Sequence, residues 1–106
     1  MKTFMGIDQS FTKTGYCVID EKDVILRHGI IPNMKDNDIY ERAWIISQSI
    51  STLVKSFDPT HIGLEGLAFS NFGNATRDLA GLQFVIIQQL RFIDKRFVDV
   101  LSLIHI

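Results

Sequence analysis

A chain of 106 residues, 46% hydrophobic and 22% charged, has room for one small core and excludes both intrinsic disorder and a multidomain organisation. Its net charge of -1 neither recommends nor excludes a nucleic-acid partner, because the clustering of positive charge decides that. The single cysteine, Cys17, excludes a disulfide framework and a cysteine-based zinc centre, and with no apolar run long enough to span a membrane and no secretory leader the expectation is a cytoplasmic protein.

Thr3-Phe4-Met5-Gly6-Ile7 is an apolar run that Asp8 interrupts, and predicts a strand over 3–8. Gly15 to Asp20 predicts a second strand and 24–31 a third, joined by the charged connection "DEKD" (Asp20 to Asp23) as a hairpin. Pro32 and Asn33 end the third strand. The period then changes. Ile39, Ala43, Ile46, Ile50, Leu53 and Phe57 recur at helical spacing, the stripe of an amphipathic helix. Asp36, Asn37 and Asp38 supply its cap and first-turn acids, and Asp58-Pro59 stops it. Tyr40 and Trp44 are expected to pack within this helix layer. His61 to Glu65 predicts a short strand, and a helix followed tightly by a strand implies a crossover that lays this strand parallel to the first.

From Gly73 a second helix is expected on the stripe Ala75, Leu79, Leu82, Ile86, Leu90, Ile93 and Phe97. Phe84, Val85 and Ile87 lie off that stripe, so the apolar face is broad; a helix apolar on more than one side is buried on more than one side, and a partner subunit could supply the second surface. A strand-like run from Phe97 to Val100 closes the order β-β-β-α-β-α-β. The expected class is α/β, a mixed sheet covered by helices.

Asp8 ends the first strand and Glu65 ends the fourth, each after apolar residues. If those strands are parallel neighbours, both carboxylates project from one sheet edge, the edge at which open α/β sheets bind ligands. Two oxygen ligands so close repel each other unless a cation neutralises them, and Mg²⁺ suits a few carboxylates completed by water and phosphate. The plainer alternative is a turn residue bonding its own backbone. For Glu65 that alternative meets a cost, since an apolar-flanked carboxylate with no basic neighbour in sequence is expensive to bury.

"GIDQSFTKTGYCVID", "ERAWIISQSISTLVKSFDP" and "HIGLEGLAFSNFGNATRDLAGLQFVII" resemble, in order and at compatible distances, the first three blocks of RuvC-type Holliday junction resolvases of a phage-like branch. The resemblance runs from residue 3 to about residue 100. It implies a ribonuclease-H-like fold and a homodimer that cuts two strands of a four-way DNA junction with Mg²⁺ or Mn²⁺, two ions per site. It also implies that Asp8 and Glu65 are two of the catalytic, metal-binding carboxylates. The family's last pair of acids lies on a helix beyond the present chain, and Asp99 is read as structural or solvent-facing rather than as one of them. The family places an aromatic residue after the catalytic Glu; Phe69 stands one residue further than expected and Phe72 competes with it for a stacking role.

Asn71, Asn74, Thr76 and Arg77 surround the start of the second helix, where free N–H groups favour a phosphate; ordinary capping by Asn74 or Thr76 is the alternative. Arg91, Lys95 and Arg96 could touch DNA or complement the helix C-terminus. His28, His61 and His105 show no metal-ligand spacing. Two rival functions remain open: a dimeric junction-binding protein that does not cut, and an actin-like ATPase in which "SFTKTG" faces nucleotide phosphates. The end of the chain, "LSLIHI" (101–106), is what CTG-TCT-CTT-ATA-CAC-ATC encodes and resembles a transposase-inserted sequencing adapter, which leaves 1–100 as an incomplete nuclease domain, inactive by itself. Cloning the gene from source DNA should show a different sequence after "RFVDV"; a stop codon directly after a genuine "LSLIHI" would refute this.

Overall fold

A computed structural model of the chain describes residues 2–32, 37–65, 74–93 and 98–101, with backbone alone at 74–76 and 98–101. The elements are β1 (Thr3–Asp8), β2 (Thr14–Asp20), β3 (Ile25–Ile31), α1 (Ile39–Phe57), β4 (His61–Glu65), α2 (Asn74–Phe92) and β5 (Val98–Leu101). They build a five-stranded sheet in the order β3-β2-β1-β4-β5. β1 and β2 are antiparallel with Asp8 opposite Gly15, and β2 and β3 are antiparallel with a register shift between Val18 and Ile19. β4 lies parallel to β1, and β5 parallel to β4. The expected order and the crossover are therefore both present.

Local chemistry explains the breaks between elements. Asp20 Oδ1 accepts from the backbone N–H groups of Lys22 (2.8 Å) and Val24 (3.0 Å), which closes the hairpin turn. Asp38 caps α1 by accepting from Glu41 N at 2.8 Å. At the other end Asp58 takes the left-handed conformation (φ 44°, ψ 58°) and its N–H returns to Val54 O, so the helix stops and Pro59 cannot resume it. Thr60 then ties the start of β4 to β1, with Thr60 N donating to Thr3 O at 2.8 Å and Thr3 N donating to Thr60 Oγ1 at 3.2 Å.

Alternation along the strands sends Met5, Ile7, Val18, Ile31, Ile62 and Leu64 to one face, where they pack with Ala43, Ile46, Ile50 and Val54 of α1 and Leu82, Ile86 and Leu90 of α2. The opposite face carries Gly6, Cys17, His28 and Gly63 along an open hollow whose rim includes Asp8 and Glu65. Toward the edge strand, Tyr16 lies over Gly29: a Cβ there would come within 2.8 Å of the tyrosine hydroxyl, so any larger residue would make the ring shift.

Three expectations need correction. α2 ends at Phe92, before its apolar stripe does; Phe97 itself lies outside the described residues. Tyr40 and Trp44 are not packed: they are 84% and 52% exposed, since they sit about 100° round the helix from the inward Ile39–Ala43 stripe. Ile87, set with Phe84 off the main stripe, packs partly buried against the core, on the helix that neighbours α1. Phe84 remains outward at 67% exposure.

Candidate active site

The site is made by register. The last paired residues of β1 and β4 are Ile7 and Leu64; one position on, Asp8 and Glu65 end their strands side by side. Leu64 points inward and is fully buried, so the pleat turns Glu65 outward, as it does Asp8 after Ile7. The two carboxyls meet. A side-chain hydrogen bond with Asp8 raises the Glu65 pKa above its ordinary 4.5, and partial burial and the negative charge of Asp8 push it the same way. Two carboxyls this close are a set of hard oxygen donors whose repulsion a divalent cation relieves, and the donor set fits one.

Behind the carboxylate, the main-chain carbonyl of Glu65 accepts two amides: Gln9 Nε2 at 2.8 Å and Gln83 Nε2 at 3.1 Å. Both glutamines are buried, at 5% and 7% exposure. The turn after Asp8 is organised by Ser10, whose Oγ accepts from Thr12 N (3.1 Å) and Lys13 N (3.3 Å), while Ser10 N donates to Thr14 Oγ1 (3.1 Å). Arg42 of α1 braces the same turn: its Nη2 donates to Phe11 O at 2.7 Å and its guanidinium lies 5.4 Å from the centre of the Phe11 ring.

Of the residues the sequence pointed to, Asp8 and Glu65 come together as expected. Arg77, in the first turns of α2, is exposed, with its Nε 3.9 Å from Asp78 Oδ1. Asn74 is the first residue of that helix, though its side chain, with those of Phe69, Asn71 and Phe72, lies outside the described residues. Among the described residues no group of three or more His, Cys, Asp or Glu gathers to hold a metal, and no helix is long and apolar enough to cross a membrane. Sequence reasoning missed Gln9, Gln83 and Arg42. The one available signal was Gln83, a polar residue on the inward face of a helix between Leu82 and Ile86.

The acid pair predicts how the cation-free protein responds to pH. Because the folded value of Glu65 is raised, its contribution to stability is fully present below 4.5 and is lost as pH rises through the folded value. In chelator, the wild-type protein should therefore lose more stability between mildly acid and neutral pH than Asp8→Asn does. Thermal unfolding of both at stepped pH measures the difference; parallel curves would mean the carboxyls do not interact.

A five-stranded mixed sheet with helices over one face and two acids on adjacent strand ends is a ribonuclease-H-like core. The family model "Crossover junction endodeoxyribonuclease RuvC" matches residues 4–100, and the chain belongs to that family. A curated relative, crossover junction endodeoxyribonuclease RuvC of Brachyspira hyodysenteriae, is 28% identical over 89 residues, which is 81% of this chain and 56% of the relative. Among solved structures, the chain is similar to Thermus thermophilus RuvC in complex with a Holliday junction substrate, with a TM-score of 0.86 at 13% identity over 97% of this chain and 66% of that one. It is also similar to the yeast mitochondrial Holliday junction resolvase Ydc2, with a TM-score of 0.68 at 18% identity over 93% of this chain and 50% of that one. The chain thus spans somewhat over half the length of the curated relative it matches.

Proposed function

We propose that this chain carries the first part of a structure-selective endodeoxyribonuclease that cuts four-way DNA junctions during recombination and repair, in the cytoplasm. The observation that carries the reading is the Asp8–Glu65 carboxyl pair at the ends of two adjacent parallel strands. Family membership and the similarity to Thermus thermophilus RuvC in complex with a Holliday junction substrate and to the Holliday junction resolvase Ydc2 support the substrate class.

In this reading Asp8 and Glu65 hold Mg²⁺ or Mn²⁺; a two-ion site, as the family resemblance implies, requires further oxygen ligands besides these two. When bound, such cations activate water and neutralise the charge that develops on the phosphodiester oxygens. The residues of the chain do the rest. The two strand ends fix where the carboxylates stand, and the Ser10 turn braced by Arg42 keeps Asp8 from following the loop. Arg77 and Asn74 stand at a helix N-terminus where a phosphate is favoured, and Phe69, Asn71 and Phe72 are proposed to meet the bases and backbone of the junction.

Incubating the full-length protein with a synthetic four-way junction tests this. Mg²⁺-dependent, paired incisions near the branch point are expected. Tight binding without incision in any divalent cation would favour the non-cutting junction binder instead.

The active unit is proposed to be a homodimer, since symmetric cutting needs two sites. Phe84 and Phe92 are eight residues apart on one face of α2, at 67% and 85% exposure, which suits a self-complementary contact. Replacing both with Lys should convert a dimer to a monomer in sedimentation; an unchanged mass, or a monomeric parent, would count against this face.

A further inference from the structure

We propose that Gln9 and Gln83 are positioning residues for Glu65: their side-chain amides clamp its main-chain carbonyl and so fix where its carboxyl meets that of Asp8, a role that rests on reading Asp8 and Glu65 as the cation-holding pair.

The geometry is specific to this one carbonyl. Its two donors, at 2.8 Å and 3.1 Å, come from different elements, the residue after β1 and the inward face of α2, at sequence separations of 56 and 18. A carbonyl oxygen has two lone pairs, and two independent donors fix its orientation where one would leave it free to swing. The clamp falls where β4 loses its neighbour on one side only. Ile7 with Leu64 is the last paired rung between β1 and β4, so at Glu65 the Gln9 amide takes the place of the next donor on the β1 side, while toward β5 Glu65 still pairs with Leu101. A catalytic group has to be held within about 0.5 Å of its working position, and a strand end held by the sheet on its β5 side alone gains that precision from a second set of donors.

The glutamines do not sit here for stability alone. Gln9 Oε1 is buried with no hydrogen-bond partner among the described residues, and an orphaned buried acceptor costs as much as one donated bond returns. Gln83 stands in the line of Leu82, Ile86 and Leu90, all buried, where an apolar side chain of similar volume would pack without any polar cost. What both amides supply that an apolar residue cannot is a fixed donor aimed at Glu65.

The test uses the full-length protein and the variants Gln9→Met, Gln83→Leu and the double variant, beside Asp8→Asn and Glu65→Gln. Four quantities are measured: thermal unfolding, junction affinity by gel shift, Mn²⁺ binding by electron paramagnetic resonance, and cleavage against Mn²⁺ concentration. Each single glutamine variant should unfold and bind junction as the parent does. Each should weaken Mn²⁺ binding roughly tenfold or more, the size usual for loss of a group that orients a ligand. Cleavage should recover at raised Mn²⁺. Parental Mn²⁺ affinity in both singles and the double overturns the clamp, provided that Asp8→Asn and Glu65→Gln abolish that binding. A parallel fall of unfolding temperature, junction binding and cleavage overturns it too, in favour of a merely structural role. If Asp8→Asn and Glu65→Gln themselves leave Mn²⁺ binding and cleavage intact, the reading of the acid pair falls and the clamp falls with it.

Discussion

Asp8→Asn and Glu65→Gln should each lower junction cleavage by the full-length protein by a factor on the order of 10² to 10³ or more, the usual scale for removing one preorganised charge-stabilising group. Both substitutions keep size and shape and remove one negative charge from the pair. Junction affinity should barely change, because it comes mainly from phosphate contacts spread over the protein surface. Folding should survive, since Asp8 is exposed and Glu65 only half-buried, and each variant relieves the repulsion between them. Gel shift and cleavage on one labelled junction separate the two effects. Cleavage retained by both variants would remove these residues from the site.

Leu64→Ala should do the reverse. Leu64 is fully buried in the middle of the core, one residue before Glu65 and paired with both β1 and β5. Leu→Ala at such positions costs about 2–5 kcal/mol through lost burial and the cavity left behind. A small domain has a total stability of about 5–15 kcal/mol, so a large part of it is at stake. The unfolding temperature should fall by roughly 10 °C or more, and cutting should decline with the folded fraction while the intrinsic rate of the folded molecules is kept. Chemical denaturation alongside activity at low temperature checks this; an unchanged midpoint would mean that β4 is not the core strand its burial indicates.

The positions of these strands could be read from the sequence because each is a short apolar run ended by a turn residue with its own chemistry. Asp8 and Asp20 mark such ends, and β1 and β4 fell where they were expected to fall. Their adjacency followed from the tight α1–β4 connection, which is why the acid pair was readable before the fold was known. Periodicity failed where packing is two-sided. The α2 stripe continues in the sequence to Phe97, yet the helix stops at Phe92, and nothing in a stripe records where the chain has to turn back. Ile87 lies beside Ile86 on the wheel and is partly buried against the core, a packing no single-helix pattern contains. Tyr40 and Trp44 were misplaced for the opposite reason: their large apolar area suggested burial, although the stripe itself already placed them sideways. Of the clamp on Glu65 only Gln83 left a trace, as a polar residue on an inward helix face; Gln9, bonded to a carbonyl 56 residues away, has no local signature.

That same distance governs when the site comes into being as the chain folds. β1, β2 and β3 are consecutive in sequence and can zip as a meander soon after collapse. The β1–β4 pairing has to close a loop of more than fifty residues first, as the 57-residue reach from Thr3 to Thr60 records, and contacts of that span form late and slowly. Asp8 and Glu65 therefore stay apart in any intermediate that holds only the meander. A chain halted there, on the ribosome or in mild denaturant, has its first acid on a finished strand and nothing for it to act with. The pair is therefore assembled only when β4 closes onto β1, so the two carboxyls never stand together before that part of the sheet is made.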